Sequence, residues 1–482
     1  MLQSVLNVFS WLLSQGAPVI VPFSVILLGL IFRAPKDKIF AGALRMGVGF
    51  TALFALVGSI FSALGPAANQ MASKFGLAFT VTDLGWPTQS GIVFAIPWAM
   101  AAIAIFIVLN ALLVALGVVK TLNVDFNNHW IFVFYMGATY YMTGSWLLTA
   151  LVGLVFWFVS LKMADWVYPM IDAYYDMPMD GITVTHAYSI LWAPIGFLLD
   201  KFWDMIPGIR DIHWDPESIK EKWGFFGEPV FIGWVIGLFV GIVAYFDGVP
   251  TGAQVSAALS LAFTVSFFML LLPRAAELIV AGMAPLSDAV RIFVTKKMPG
   301  RDFHLGLDAA VLVGAPEHVA IGVLTTPIAF LIAFLLPGNN MLPMGDVAGL
   351  FIFICVFITN TNRGNIFRGL LNSALILIPV SFWVGGTMST ANMAIVEGTG
   401  FVLPEGAGMI SSLCVGTTPF GYALYQISTF FAGIGTSKDL GIGIAILVVF
   451  AAVWYLMRKR PVEYARELNG EYEDGLQDTQ AS

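Results

Sequence analysis

The chain has 482 residues, of which 58% are hydrophobic and 11% charged, with a mean hydropathy of +0.85. A water-soluble domain carries about a quarter charged residues, so this composition excludes one and requires a protein embedded in lipid. The net charge of −7 comes without any basic patch, which excludes a nucleic-acid partner, and Cys355 and Cys414 lie far apart in apolar stretches, which excludes a disulfide framework or a thiol metal site.

The start, MLQSVLNVFSWLL, lacks a basic n-region and a small-residue cleavage site, so no cleavable signal peptide is expected. Its first dozen residues are expected to form an interfacial amphipathic helix. A spanning helix needs about 20 mostly apolar residues. Candidates lie near 16–32, 46–64, 91–119, 130–160, 186–200, 227–246, 255–272, 317–336, 347–360, 370–386, 408–431 and 440–457. Several of these are long, broken or marginal. The expectation is an all-α polytopic membrane protein with about 11 transmembrane helices and two re-entrant hairpins. The stretch from Lys201 to Lys222 is the most polar internal segment and separates two halves. The expected organisation is a first repeat over 1–200, a polar link over 201–226, a second repeat over 227–436, a last span over 437–460 and a cytoplasmic tail over 461–482.

The two halves resemble each other. GAPVIVPFSVILLGLI from Gly16 pairs with GEPVFIGWVIGLFVGI from Gly227, and ALGPAANQMASKF with GMAPLSDAVRIFV. VTDLGW around Asp83 pairs with GLDAAV around Asp308, and NVDFN around Asp125 with MGDVA around Asp346. The matches keep one order and an offset of roughly 210–225 residues, as duplicated transporter halves do. Charge predicts that the halves are inverted. The loop after the first span is RAPKDK, with Arg33, Lys36 and Lys38, whereas its counterpart AYFDGVPTG has no basic residue. Basic loops stay cytoplasmic, so the N-terminus is expected outside, and MRKRP (457–461) puts the C-terminus inside. Inverted repeats offer one midplane site to each side in turn, and such sites form where helices break. TDLGWP (82–87) and GLDAAVLVGAP (306–316) each set an acid among glycine and proline before an apolar run, as a re-entrant tip would.

G-P-A-A followed by TDLGWP, NVD (123–125), TGSW (143–146), GFFGEPV (224–230), GLDAA (306–310), PGNNMLPMGD (337–346) and RGNIFR (363–368) together resemble the galactitol-type IIC subunits of the sugar phosphotransferase system, in the ascorbate–galactitol superfamily. The resemblance runs from about residue 10 to 460, and one EIIC domain is expected over about 5–460. It implies a homodimer in the bacterial inner membrane, each protomer having a scaffold domain and a core that moves in an elevator-like step. It also implies IIA and IIB partners: phosphate passes to a IIA histidine, then a IIB cysteine, then the sugar. The phosphoryl-donor cysteine would lie on IIB, this chain would bind and present the polyol, and no cofactor or metal is expected. Galactitol is the first expected substrate, a pentitol such as arabitol the second. The resemblance gives Asp308 as hydrogen-bond acceptor and possible base, and His186 as a substrate contact.

A polyol site needs acceptors, donors and an apolar wall, and ionisable groups at membrane depth are expensive unless used. On that ground Asp83, the mirror of Asp308, is a candidate, with Trp86 beside it to stack on the polyol carbons. Glu228, before Pro229 at the head of an apolar run, is a candidate too, although a carboxylate there also caps a helix. Asp346 and Asn365 are carried as further candidates; for both, capping is the competing reading. Tyr140 and Tyr141 occupy a segment where relatives often carry a histidine, which makes Tyr141 a candidate donor and leaves the polyol open. The competing function is an ion-coupled secondary transporter of a polyol or sugar, which shares inverted repeats and buried acids. A membrane enzyme would need a metal-binding or similar reactive motif, such as HExxH, which the sequence lacks.

Overall fold

The computed structural model describes residues 17–74, 76, 79–125, 129–175, 181–215, 225, 228–297, 303–312, 315–343, 346, 361–403 and 408–469. The expected N-terminal interfacial helix, residues 216–224 and 226 of the polar link, and the 347–360 candidate lie outside them. In chain order the elements are α1 (Ala17–Ile31), α2 (Lys36–Lys74), β1 (Val81–Asp83), α3 (Gly85–Phe94), α4 (Ala99–Ala115), β2 (Thr121–Asn123), α5 (Trp130–Thr143), α6 (Trp146–Tyr174), β3 (Ile182–Val184), α7 (Ala187–Ile190) and α8 (Ala193–Asp204). There follow α9 (Pro229–Tyr245), α10 (Gly252–Lys297), β4 (His304–Leu307), a 3-10 turn (Ala309–Leu312), α11 (Pro316–Leu335), β5 (Met341–Leu342) and α12 (Ile366–Asn372). A π-helical turn over Ser373–Leu377 leads into α13 (Ile378–Thr387), then α14 (Ser389–Thr399), β6 (Met409–Ser411), α15 (Leu413–Gly416), α16 (Pro419–Phe431), α17 (Ser437–Met457) and α18 (Arg460–Leu468).

This is a helical membrane protein. Among the described residues, Trp146–Tyr174, Gly252–Leu271, Pro316–Leu335, Ile366–Thr387 and Ser437–Met457 are long and apolar enough to cross a bilayer. The apolar runs do not all become single helices. The 91–119 run breaks between Phe94 and Ala99, at Pro97, and its two pieces meet at 91°. Proline removes the amide that would bridge the break. The 130–160 run is split by Gly144, in the left-handed region at φ 67°, and by Ser145, whose Oγ accepts from Leu148 N and starts α6. The 186–200 run is divided between α7 and α8, and the 408–431 run between β6, α15 and α16. Helix α8 extends to Asp204.

Helices α1, α2, α9 and α10 pack as one group, with α10 lying along both α9 and α2. At the α2–α10 crossing a methyl on Gly42 would come within 2.4 Å of the Gly282 carbonyl oxygen. Only glycine permits that approach, the small-residue packing that joins helices without a hydrophobic driving force in lipid.

The remaining elements surround two small parallel sheets. In one, β1 lies between β5 and β6; in the other, β4 lies between β2 and β3. Each central strand comes from one half of the sequence and both its neighbours from the other. The strands β1, β2 and β3 recur in order as β4, β5 and β6, roughly 220 residues later.

At the C-terminus α18 folds back on the bundle. Glu467 accepts from Arg460 and Arg363. Burial alone would raise its carboxyl, but these two guanidiniums outweigh it and hold the group below its usual value. A depressed carboxylate adds stability above its unfolded value, about 4.3, and that contribution is lost as pH falls through the lower folded value. The difference in thermal midpoint between the native chain and Glu467→Gln should therefore be constant from pH 8 to about 5 and shrink progressively as pH falls below about 4.3. A difference that persists unchanged at acid pH would show that Glu467 does not anchor α18.

Candidate functional site

Because both sheets are parallel, the carboxyl ends of three strands meet in each. In the β2-β4-β3 sheet, β4 ends at Leu307 and Asp308 follows at once; β3 leads through Thr185 to His186; β2 leads through Val124 to Asp125. The ladder continues past the strands: Val124 N donates to Gly306 O at 3.0 Å and Thr185 N to Leu307 O at 2.9 Å. Three polar side chains, from Asp125 to Asp308 in sequence, thus leave one sheet edge together. His186 is 5% exposed and precedes α7, with its Nδ1 at 2.7 Å from Ser189 Oγ and its ring edge-on to Tyr188. The Asp308 carboxylate lies close enough to act electrostatically on that ring, and Asp308 is half-buried.

A buried amide network sets this edge. Asn110, 1% exposed on the otherwise apolar α4, donates from Nδ2 to Thr121 O at 2.9 Å and accepts Asn123 N on Oδ1 at 2.7 Å. It supplies β2 with the pairing that a further strand would give. Asn123 Oδ1 in turn accepts Asp125 N at 3.0 Å and Thr185 Oγ1 at 2.9 Å, which ties the exits of β2 and β3 to each other. Asp165 on α6 accepts Thr121 N and Oγ1 at 2.9 and 2.7 Å and holds the start of β2. The sequence reading missed Asn110, Thr185, Ser189 and Asp165. The one available signal was Asn123 two residues before Asp125, the spacing of an Asx turn.

The β5-β1-β6 sheet ends on Asp83, Asp346 and Ser412, the counterparts of Asp308, Asp125 and His186 in strand order. Here the carboxylates are fully buried and bonded mostly to the main chain. Asp83 accepts Gly85 N at 3.1 Å, Leu413 N at 3.3 Å and Asp346 N at 2.8 Å. Asp346 accepts Trp86 N, Cys414 N at 3.3 Å and the Ser412 hydroxyl. The structure therefore brings Asp83, Trp86 and Asp346 together, as a knot that fastens the starts of α3 and α15.

Asn365 N-caps α12: its Oδ1 accepts Phe367 N at 3.1 Å and its Nδ2 donates to Ile212 O at 2.7 Å. Glu228 is the N-cap of α9, half-buried, in the α1, α2, α9 and α10 group. Tyr141 lies near the C-terminal end of α5, over Gly398. Trp130, at the other end of α5, touches Tyr188 beside His186. The eleven helical steps from Trp130 to Tyr141 rise about 16 Å, so Tyr141 is remote from His186. Among the described residues no group of three or more His, Cys, Asp or Glu is placed to hold a metal ion.

A half-buried carboxylate beside an oriented imidazole, on broken backbone between apolar helices, is suited to a neutral guest rich in hydroxyls. The model of the family described as "PTS system sugar-specific permease component" matches residues 11–401. A galactitol-specific EIIC component of the PTS system from Escherichia coli (strain K12) is 31% identical over 422 residues, 87% of this chain and 90% of that one. A galactitol-specific EIIC component from Escherichia coli O157:H7 gives the same figures. A further Escherichia coli (strain K12) chain, described provisionally as a permease IIC component, is 32% identical over 452 residues, 94% of this chain and 99% of that one. The chain belongs to the family of PTS system sugar-specific permease components. As a member it is an integral membrane carrier whose family works with a sugar substrate and with IIA and IIB subunits.

Proposed function

We propose that this chain carries a polyol, galactitol first and a pentitol such as arabitol second, and presents it to the phosphocysteine of a IIB subunit. The observation that carries the reading is the meeting of Asp308, His186 and Asp125 at one sheet edge. Asp308 accepts a hydroxyl of the guest, and the His186 ring, turned by Ser189, donates or accepts a second. In the transfer the hydroxyl oxygen forms a bond to phosphorus as the cysteine S–P bond breaks, and the hydroxyl proton passes to Asp308 as base. Asp83, Trp86 and Asp346 then serve the same core from the opposite sheet as fasteners, and Glu228, Tyr141 and Asn365 lie outside the innermost contacts.

The reciprocal exchange of strands supports inverted repeats over 1–200 and 227–436, with sheet-bearing tips as the re-entrant hairpins. On this reading α1, α2, α9 and α10 form the scaffold of a homodimer, and the sheet-bearing core moves past it in an elevator-like step. The protein lies in the bacterial inner membrane with its N-terminus periplasmic and its C-terminus cytoplasmic. The test uses membrane vesicles holding the chain, with purified IIA, IIB and the general phosphotransferase proteins. Labelled galactitol should accumulate as its phosphate and only when the phosphoryl donor is present. Accumulation of unmodified polyol driven by a proton or sodium gradient would instead establish the ion-coupled carrier.

A further inference from the structure

Away from both sheets a groove of about 690 Å³ runs between α2, α9 and α11. Met71 of α2, Ile236, Phe239 and Val243 of α9, and Leu331 and Phe334 of α11 are among its wall residues, which are apolar among the described residues. Its size is that of a cavity that takes a drug-sized molecule, about 300–1,000 Å³. Water would find no partners there, and an empty groove would forfeit the dispersion contacts of its walls. Phe239 and Leu331 are 60% and 56% exposed, so the groove opens on the outer face of an integral membrane protein, where acyl chains are the surrounding medium.

One end is polar. Lys74, one helical turn beyond Met71, donates from Nζ to Val243 O at 3.1 Å and to Phe246 O. The C-terminal ends of α2, α9 and α11 meet here: Phe79 packs on Phe334 at 6.0 Å between ring centroids, and Thr80 N donates to Asn340 O at 3.0 Å. Asp247 is exposed one residue past Phe246, in the loop where Val249 is 92% exposed, so this end faces water. An ammonium has three donors, and the two carbonyls use two of them. Three helix C-termini and Asp247 present partial and full negative charge around Lys74. A headgroup of net negative charge would meet repulsion from all but Lys74. A headgroup that carries both a phosphate and a compact hydrogen-bonding ammonium matches the site.

We propose that this groove binds a zwitterionic phospholipid of the ethanolamine class, one acyl chain lying along Phe239 and Leu331 and the phosphate on Lys74. The occupant braces α11, which starts four residues past the turn that follows Asp308. It fills the seam between the α2–α9 pair and the helix leaving the site, so its loss should alter transport without touching the polyol contacts. The proposal needs only the membrane location, so a failure of the polyol assay leaves it standing, and the reverse holds as well.

The test is native mass spectrometry of the full-length protein, stripped of lipid in detergent and titrated with phosphatidylethanolamine, phosphatidylcholine, phosphatidylglycerol and diacylglycerol of identical chains. Phosphatidylethanolamine should be retained best. Lys74→Gln should reduce that preference about fivefold while acyl retention continues. Leu331→Trp fills the groove from its exposed side and should lower retention of all four lipids. Phe239→Ala, which opens the groove, should weaken retention as well and serves if the tryptophan variant does not fold. Undiminished retention in the folded groove variants, or phosphatidylglycerol or diacylglycerol held as well as phosphatidylethanolamine, would overturn the proposal. So would a groove variant that changes the monomer–dimer ratio and leaves lipid retention alone, since the occupant would then be a second copy of the chain.

Discussion

Asp308→Asn is expected to weaken galactitol binding by the purified protein about 10- to 100-fold, the loss of a hydrogen bond to a charged acceptor. The substitution keeps shape and volume, and Asp308 is half-buried, so the folded yield should stay near that of the native chain. His186→Ala should cost about tenfold or less, since a neutral hydrogen bond contributes about 0.5–1.5 kcal/mol. Asp83→Asn provides the contrast. Asp83 accepts three main-chain amides from three segments. An asparagine must turn an amine toward at least one of those donors, so this variant should lose thermal stability first and binding only as a consequence. Calorimetric titration beside a melting curve separates the two. Equal binding by the native chain and Asp308→Asn would remove Asp308 from the site, and a fully stable Asp83→Asn that binds weakly would move the site to the opposite sheet.

That contrast was half legible in the sequence. The pairing of Asp83 with Asp308 and of Asp125 with Asp346 followed from short matched motifs, and each pair does fall on corresponding strand exits. The partner assignment was not legible, because each sheet joins one strand of one half to two strands of the other. Asp83 therefore meets Asp346, and Asp308 meets His186. Pattern matching detects which segments are alike, whereas contact depends on how the halves interlock. His186 was found through family likeness rather than through spacing, and its mirror position is Ser412, which no motif comparison would match. Tyr141 shows how far helix rise can separate a candidate from the His186 exit. Its segment looked equivalent to a site position, but helix rise carries it about 16 Å along α5 from Trp130. Hydropathy found the apolar runs and overstated their continuity, since Pro97 and Gly144 break two of them without lowering the window average much.

Arg368→Met should be among the most destabilising single changes in the chain, by about 3–5 kcal/mol, because it strands a buried charge. Arg368 is 5% exposed and Asp200 1%. Arg368 Nη1 meets Asp200 Oδ1 at 2.7 Å, and Nη2 meets Asp204 Oδ1 at 2.7 Å. Arg460 lies 4.0 Å from the other Asp200 oxygen and also pairs with Glu467. These bonds join α8, α12 and α18, elements from both halves of the sequence and from the tail. The exposed Asp204 pair adds little, since water already solvates a half-exposed carboxylate. The large term is the desolvated Asp200, which Arg460 reaches only at the limit of pairing distance. Removing both charges removes that penalty, so Asp200→Asn with Arg368→Met should recover more than half of the loss in thermal midpoint. If the double variant melts as low as Arg368→Met alone, the loss comes from packing of the arginine stem and not from an uncompensated carboxylate. If Arg368→Met melts like the native chain, Arg460 alone satisfies Asp200, and the join between α8 and α12 rests on the bond that Trp203 Nε1 donates to Asn372 Oδ1 at 2.7 Å.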